Sequence, residues 1–296
     1  MGSAPSTIAI HGFGHARPAV PSTRLVALSC DAREMQPCVL PSRGAVDQQT
    51  EGMRARRLAA GAGALLIGLR DSRQWREAGV VELRAAGDRA SQDFLAAELA
   101  STCPTDCVLS EEAADDTRRL TASRVWIVDP LDGTREFAEG RIDWAVHVAL
   151  WFDGELTAGA VALPSLGTTL STAEPPQRPL ADGGPWRIAV SRTRPPTLAS
   201  TVADRLGAEL VPMGSAGYKI SAILRGEVDC YVHAGGQYEW DSAAPVAVAR
   251  AAGLHTSRLD GSALRYNQPN PYLPDLVVCR PELADALLTA ISQEVP

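Results

Sequence analysis

Four apolar residues, Val125-Trp126-Ile127-Val128, run without a spacer into Asp129-Pro130-Leu131-Asp132-Gly133-Thr134. The apolar run is short and rich in β-branched and aromatic side chains, the composition of a buried strand. Pro130 fixes φ and offers no N–H. It is therefore expected to stop the strand after Val128 and let Asp129 and Asp132 converge on one point just beyond its end. Two carboxylates beside one peptide carbonyl make a hard oxygen site of the kind magnesium takes. Gly133 and Thr134 then open a short helix whose free N–H groups and positive end suit a phosphate. Asp, Pro and Gly are also ordinary turn residues, so the segment alone reads equally well as a polar turn.

With 296 residues, 45% of them apolar, the chain can bury one large core or two modest ones. A net charge of -7 gives no basic footprint for a nucleic-acid backbone, which excludes nucleic-acid polymer as a partner. No run approaches the ~20 apolar residues of a membrane span. Arg54, Arg56 and Arg57 before Leu58 to Leu69 have the look of a secretory leader. They lie well inside the chain, however, and Arg70-Asp71-Ser72-Arg73 follows without a cleavage signature. Leucines at helical spacing favour a packed first helix. Cys30, Cys38, Cys103, Cys107, Cys230 and Cys279 are too sparse for a disulfide scaffold and fit a reducing cytoplasm. Cys103 and Cys107 have no second pair at ligand spacing, so a packing or thiol role is expected there rather than zinc.

Residues 1–52 are rich in Pro, Ser, Gly and Thr with no sustained apolar period. They read as a disordered or poorly packed extension, with Met53 a candidate translation start. Residues 53–173 read as a first α+β subdomain, with helices over 54–70 and 88–101, the second turning Phe94, Leu95 and Leu99 inward. Its strands fall at Val108-Leu109, at Val125 to Val128, at Trp144 to Trp151 and at Ala158 to Leu163, with Asp153-Gly154 signalling a hairpin. Glu174 to Pro185 is Pro/Gly-rich and marks a soft boundary. Residues 186–296 read as a second subdomain: a strand at Arg187 to Val190, a helix over 197–207, a strand over 209–213 and a helix over 216–225. A strand at Asp229 to His233 and a helix from Asp241 to Ala252, closed by Gly253, follow. The alternation argues for stacked α and β layers.

Two further segments bear on the Asp129 motif. Leu109-Ser110-Glu111-Glu112 ends a strand with adjacent carboxylates, and Trp240-Asp241-Ser242-Ala243-Ala244-Pro245 sets an aspartate at the start of a helix. Taken singly, Asp241 reads as an N-cap with Pro245 in the first turn, and Glu112, Asp115 and Asp116 as a solvated acidic face.

Taken jointly and in this order, the three segments resemble the motifs of the inositol monophosphatase superfamily of lithium-sensitive phosphatases, from roughly Leu58 to the C-terminus. Arg135-Glu136-Phe137, the stretch Gly214 to Lys219 and the tail Arg258 to Asn267 resemble its CysQ-type branch of 3'-phosphoadenosine 5'-phosphate phosphatases, actinobacterial members in particular. The resemblance implies an α/β layered fold, the αβαβα sandwich of the inositol monophosphatase and fructose-1,6-bisphosphatase type. It implies two Mg2+ ions, with a position for a third. Glu111, Asp129 and the Leu131 carbonyl would hold one, and Asp129, Asp132 and Asp241 the second. Asp88 would pair with Thr134 near the third position, although relatives reach that aspartate through a Ser-Pro-Val-Thr-type strand and this chain has Leu83-Arg84-Ala85-Ala86.

The implied chemistry has the Glu111-side metal activating a water that Thr134 and Asp88 orient or deprotonate, and the other metal stabilising a leaving 3'-oxygen. Asp88, Glu111 and Thr134 are thus the expected catalytic residues. Gly133, Thr134 and Asp241 would meet the reacting phosphate, Gly214, Ser215 and Lys219 a second phosphate or the ribose, and His233, with Gln237 nearby, the same ligand. A solvated surface lysine and a packed strand-end histidine are the bland alternatives for Lys219 and His233. The expected function is hydrolysis of 3'-phosphoadenosine 5'-phosphate to AMP, a recycling step of sulfate assimilation, by a cytoplasmic homodimer acting on a small phosphate ester. Inositol-1-phosphate and fructose-1,6-bisphosphate phosphatases share the metal centre and remain alternatives. A phosphometabolite-binding protein without turnover is the non-enzymatic one.

Overall fold

The computed structural model describes residues 43–76, 79–181 and 183–294. Its first elements are helical: α1 (Arg43–Asp71), the single turn α2 (Arg73–Arg76) and α3 (Val80–Thr102). A sheet follows, built in chain order from β1 (Cys107–Ser110), β2 (Arg124–Asp132), β3 (Ala145–Phe152), β4 (Glu155–Leu163) and β5 (Thr168–Ser171). β1 runs parallel to β2 and the rest is an antiparallel meander. The β3–β4 hairpin turns at Asp153 and Gly154, both at positive φ, as Asp-Gly demands. The short helix α4 (Thr134–Ala138) lies between β2 and β3.

The second sheet takes β6 (Arg187–Ser191), β7 (Glu209–Met213), β8 (Cys230–Tyr238), β9 (His255–Ser257) and β10 (Tyr272–Cys279) in the order β7-β6-β8-β10-β9. β6 is parallel to both neighbours, whereas β10 is antiparallel to both of its own. The remaining helices are α5 (Thr197–Leu206), α6 (Ala216–Leu224), α7 (Glu239–Ala251) and α8 (Ala284–Ser292).

Strand alternation sorts the side chains into three cores. Trp126 and Val128 of β2 face α1 and α3, where Leu58, Leu66, Leu95 and Leu99 are buried. Val125 and Ile127 face the other way, into a core filled by Ile220 and Ile223 of α6 and by Val246 and Val248 of α7. Ile188, Val190 and Val232 of the second sheet turn outward onto Val202 of α5 and onto Leu287 and Ile291 of α8. The layers therefore read α, β, α, β, α, the expected sandwich. Every residue of α6 is buried, as a helix enclosed between two sheets requires.

Local boundaries differ from the sequence reading. α1 begins at Arg43, inside the stretch assigned to an extension through residue 52. Glu51 pairs with Arg54 at 2.9 Å and with Arg124 of β2 at 2.8 Å, which ties this helical turn to the first sheet. The rest of the expected extension, residues 1–42, lies outside the described residues. The stretch 174–185 separates the two sheets, but it does not separate two cores, because α6 and α7 fill the central core between them. Among the described residues no helix is long and apolar enough to cross a membrane.

Candidate active site

Pro130 does not end β2. The strand continues to Asp132, and the register shows how: Asp129 stands opposite His147 and Asp132 opposite Ala145, so three steps on β2 match two on β3. One extra residue is accommodated as a β-bulge. On a regular strand residues three apart point to opposite faces. The bulge cancels that parity and puts both aspartates on the face occupied by His147. Pro130 sits where the ladder is broken, so its missing N–H costs nothing. Gly133, at φ +89°, then turns the chain into α4, a conformation that side chains with a Cβ rarely adopt. α4 is only five residues long, so the helix-end phosphate site expected from the sequence has little dipole behind it.

Asp241 approaches from the central layer. It is the third residue of α7 rather than its N-cap, because Glu239 and Trp240 are already helical and Pro245 lies in the second turn. Its Oδ2 accepts the Tyr238 backbone N–H at 2.6 Å. The helix begins early because buried Glu239 accepts the backbone N–H groups of Asn267 (2.6 Å) and Gln268 (2.8 Å). Fully buried Arg119 reaches Asn267 Oδ1 at 2.8 Å and Asp115 Oδ1 at 2.6 Å, so Asp115 is a salt-bridge partner and not simply part of a solvated acidic face.

Oxygens of Asp129, Asp132 and Asp241 lie within 4.8 Å of one another. Asp129 Oδ1 accepts the Leu131 N–H at 3.0 Å, but its Oδ2 is buried with no hydrogen-bond partner. Burial, then the charges of Glu111, Asp132 and Asp241, holds the Asp129 carboxyl well above the usual range. Burial and Asp132 push Asp241 up to about 6. Glu111 is an exposed residue, yet desolvation of its carboxyl and the charges of Asp241, Glu112 and Asp132 push it up to about 7. An orphaned buried oxygen among mutually repelling carboxylates is a deficit of positive charge that a hard divalent cation fits.

Asp132 differs. The first N–H groups of α6 are spent on it, Ala216 to Oδ1 at 3.2 Å and Gly217 to Oδ2 at 2.6 Å. His147 Nε2 lies 3.1 Å from Oδ2, within ion-pair reach but not aligned as a hydrogen bond. Burial opposes ionisation of Asp132, but His147, the Gly217 N–H and Lys219 outweigh it and hold the carboxyl below its ordinary value. Burial likewise opposes the His147 cation, and Asp132 together with the Trp240 carbonyl reverses the shift. His147 was not anticipated from the sequence. Its signal was a single polar side chain within the apolar run of β3.

One face of α3 supports the cluster from the first core. Asp88, Ser91 and Gln92 follow helical spacing. Asp88 Oδ1 accepts the Thr134 hydroxyl at 3.2 Å, Ser91 donates to the Pro130 carbonyl at 2.6 Å, and Gln92 Oε1 accepts Ser110 Oγ at 2.7 Å. Thr134 also lies 3.2 Å from the Leu131 carbonyl. Asp88 thus reaches Thr134 from α3, the helix that also contains Leu83-Arg84-Ala85-Ala86. Burial and the Glu112 charge push Asp88 up to about 6.

The expected substrate residues lie along α6 and β8. Ser215 caps α6 by accepting the Tyr218 N–H at 3.2 Å. Lys219 is buried, not solvated. Its Nζ donates to the carbonyls of Gly214 and Ser215, stands 5.1 Å over the Tyr231 ring, and burial brings its pKa down to about 8. Gln237 Nε2 donates to the Tyr231 hydroxyl, which lies 3.0 Å from His233 Nδ1. That chain lets Tyr231 donate to Nδ1 and leaves the proton on His233 Nε2, which is buried without a partner. Burial and Lys219 lower the His233 pKa to about 4.

Residues 48–296 match the inositol monophosphatase family. The chain belongs to that family. Within it, the chain is 50% identical over 260 residues to the protein of Mycobacterium leprae (strain TN) named 3'-phosphoadenosine 5'-phosphate phosphatase, covering 82% of this chain and 94% of that one. It is 29% identical over 199 residues to the 3'(2'),5'-bisphosphate nucleotidase CysQ of Escherichia coli (strain K12), covering 64% and 81%. The crystal structure of CysQ from Bacteroides thetaiotaomicron, a bacterial member of the family, superposes with a TM-score of 0.66 at 26% identity, covering 78% of this chain and 97% of that one. The expected family and its layered fold are therefore both met.

Proposed function

We propose that the protein is a magnesium-dependent phosphatase that converts 3'-phosphoadenosine 5'-phosphate and water to AMP and inorganic phosphate. The observation that carries the reading is the meeting of Asp129, Asp132 and Asp241 around a buried carboxylate oxygen with no donor. The substrate is taken from the mycobacterial relative of 50% identity. Glu111, Asp129, Asp132, Asp241 and the Leu131 carbonyl would hold two Mg2+ ions, with Asp88 beside a third position. Bound there, Mg2+ supplies charge neutralisation on the phosphoryl oxygens and a more acidic water.

The chain's own groups do the rest. Thr134, held between Asp88 and the Leu131 carbonyl, orients the attacking water, and Asp88, with its pKa near 6, is poised to take the proton. Gly133 permits the turn that presents Thr134 and the reacting phosphate. Lys219 retains one N–H beyond the two given to Gly214 and Ser215, the Ser215 hydroxyl keeps its proton, and His233 Nε2–H is unspent. These donors are assigned to the ribose or the second phosphate. Lithium sensitivity, a recycling role in sulfate assimilation, a cytoplasmic site and a homodimer complete the proposal.

Phosphate release by the purified protein on 3'-phosphoadenosine 5'-phosphate, inositol 1-phosphate and fructose 1,6-bisphosphate, with Mg2+, EDTA or added lithium, tests it. The highest kcat/KM is expected on the nucleotide, lost in EDTA and reduced by lithium. A preference for inositol or sugar phosphate would overturn the substrate and keep the centre. Release from none of them would favour a binding protein.

A further inference from the structure

One buried arginine fastens the stretch that carries Glu111. Of residues 111–120 only Arg119 is buried, and its side chain is wholly enclosed. It lies on the 3-10 turn Thr117–Thr121. Its Nε and Nη2 fork onto the two oxygens of Asp115 at 2.6 and 3.0 Å, Nη1 donates to Asn267 Oδ1 at 2.8 Å, and Nη2 donates also to the Gln268 carbonyl at 2.9 Å. Asn267 answers by donating Nδ2 to the Arg119 carbonyl at 3.0 Å. It does so at φ +60°, which asparagine tolerates better than most side chains do.

The same tail segment brackets the start of α7. The Asn267 and Gln268 N–H groups go to Glu239, and the Tyr266 hydroxyl lies 3.1 Å from Ser242 Oγ, with Glu239, Ser242, Tyr266 and Asn267 all buried. Asp241 lies between Glu239 and Ser242 in the chain. On the other side, Ser110 stands opposite Val128 in the parallel β1–β2 ladder, so Glu111 leaves the ladder beside Asp129. Residues 266–268 thus hold Arg119 with one set of atoms and the first turn of α7 with another. A buried ion pair contributes little net stability, whereas a planar guanidinium with fixed partners sets a geometry.

We propose that Arg119 and Asn267 are positioning residues: together they form a clasp that locks the segment bearing Glu111 to the start of α7, and so sets Glu111 and Asp241 at the spacing that the Mg2+ ions need. The assignment rests on the metal reading above.

Calorimetric titration with Mg2+, without substrate, of wild-type protein, Arg119→Lys, Asn267→Gly and Arg280→Lys tests the clasp. Lysine keeps the charge of Arg119 and loses its fork, while glycine keeps the backbone turn and the N–H given to Glu239 and removes the side chain. Arg280 is the matched control, also buried and paired, 2.8 Å from Asp229 Oδ1, but at the end of β8 away from α7. Arg119→Lys and Asn267→Gly should each weaken Mg2+ binding about tenfold. Arg280→Lys should bind Mg2+ as wild type does, even where urea titration shows it to be as destabilised as they are. In a Glu111→Gln background, Arg119→Lys should add no further loss. Wild-type Mg2+ affinity in either clasp variant, an equal loss in Arg280→Lys, or an undiminished loss in the Glu111→Gln background would each overturn the assignment and leave the network a purely structural one. Phosphate release is read separately. Clasp-dependent Mg2+ affinity without release from any ester would sink the phosphatase and keep the clasp, whereas turnover of the nucleotide with clasp-independent Mg2+ binding would do the reverse. Wild-type protein that binds no Mg2+ would remove both.

Discussion

Asp129 and Asp132 share one bulged strand and one buried face, and the protein treats them in opposite ways. Asp132 is surrounded by donors: two N–H groups from the start of α6, His147 at 3.1 Å and the field of Lys219. Asp129 has one N–H, from Leu131, and beyond it the repelling carboxylates, with His147 Nδ1 no nearer than 3.9 Å from its Oδ2. One charge is balanced by the fold and the other is left over. A site of this kind keeps a fixed anchor on the Asp132 side whether or not a cation is present. On the side of Glu111, Asp129 and Asp241 it stores repulsion that a cation relieves. The unequal treatment also says which substitutions disturb the fold and which disturb only the chemistry.

The largest effect tests this directly. Asp129→Asn should reduce phosphate release on the order of a thousandfold or more, while in EDTA the protein melts at a temperature no lower than wild type, because the neutral amide replaces a carboxyl whose charge burial and its neighbours already oppose. Asp132→Asn should lose activity as well. In EDTA, however, it should also lose about 3 kcal/mol of stability, since an amide cannot replace the charge that His147 and Lys219 face. Thermal melts in EDTA beside phosphate release separate the two. A shift of the same sign in both variants would erase the distinction between the aspartates.

A smaller effect is expected where α6 meets His147. A Cβ on Gly217 would stand 1.9 Å from His147 Nε2, so this glycine is what lets the helix deliver its N–H to Asp132 while the imidazole lies beside it. Gly217→Ala should cost about 1–3 kcal/mol and, by displacing the ring, raise the Mg2+ concentration for half-maximal activity about tenfold. Adding His147→Ala relieves the overlap, so the double variant should be less destabilised than the sum of the singles in urea titrations. Strict additivity would mean that the ring and the helix do not constrain each other.

The part of this site that was legible in the sequence is the part written locally. An apolar strand followed by Asp-Pro-Leu-Asp-Gly-Thr, adjacent glutamates after a strand and a Trp-Asp pair opening a helix all carry their chemistry within a few residues. The alternation of periods was enough to foretell layers. The rest depends on partners distant in the chain. Pro130 reads as a strand stop because nothing near it announces that β3 will pair across a bulge. His147 looks like core because its reason to be polar lies on β2 and α6. Asp241 reads as an N-cap because the bonds that extend its helix back to Glu239 come from Asn267 and Gln268. Lys219, expected at the ligand, keeps a surface lysine as its alternative in the sequence because the carbonyls that hold it are presented only by the turn at Gly214 and Ser215.

The smallest expected effect is in the pH dependence of stability, and it sharpens the same contrast. Without metal, Glu111 is pushed up to about 7 and Asp241 to about 6, burial first and neighbouring charge second. The folded protein then binds these protons more tightly than the unfolded chain. Their contribution to stability is complete below the ordinary carboxylate values of 4.5 and 3.8 and is lost as pH rises through about 6 and about 7. Asp132, depressed instead, contributes stability above its ordinary 3.8 and loses it only as pH falls below that. In EDTA the melting temperature should therefore fall between about pH 4 and about pH 7. With Mg2+ the cluster carboxylates stay ionised in the folded state, and most of that slope should vanish. Glu239, pushed up to about 7 by burial and engaged with Asn267 and Gln268, should keep a residual slope in both conditions. Melts at several pH values with and without Mg2+ measure both parts. Identical slopes would mean that Glu111 and Asp241 do not share a cation, and that the charge left over at Asp129 is met in some other way.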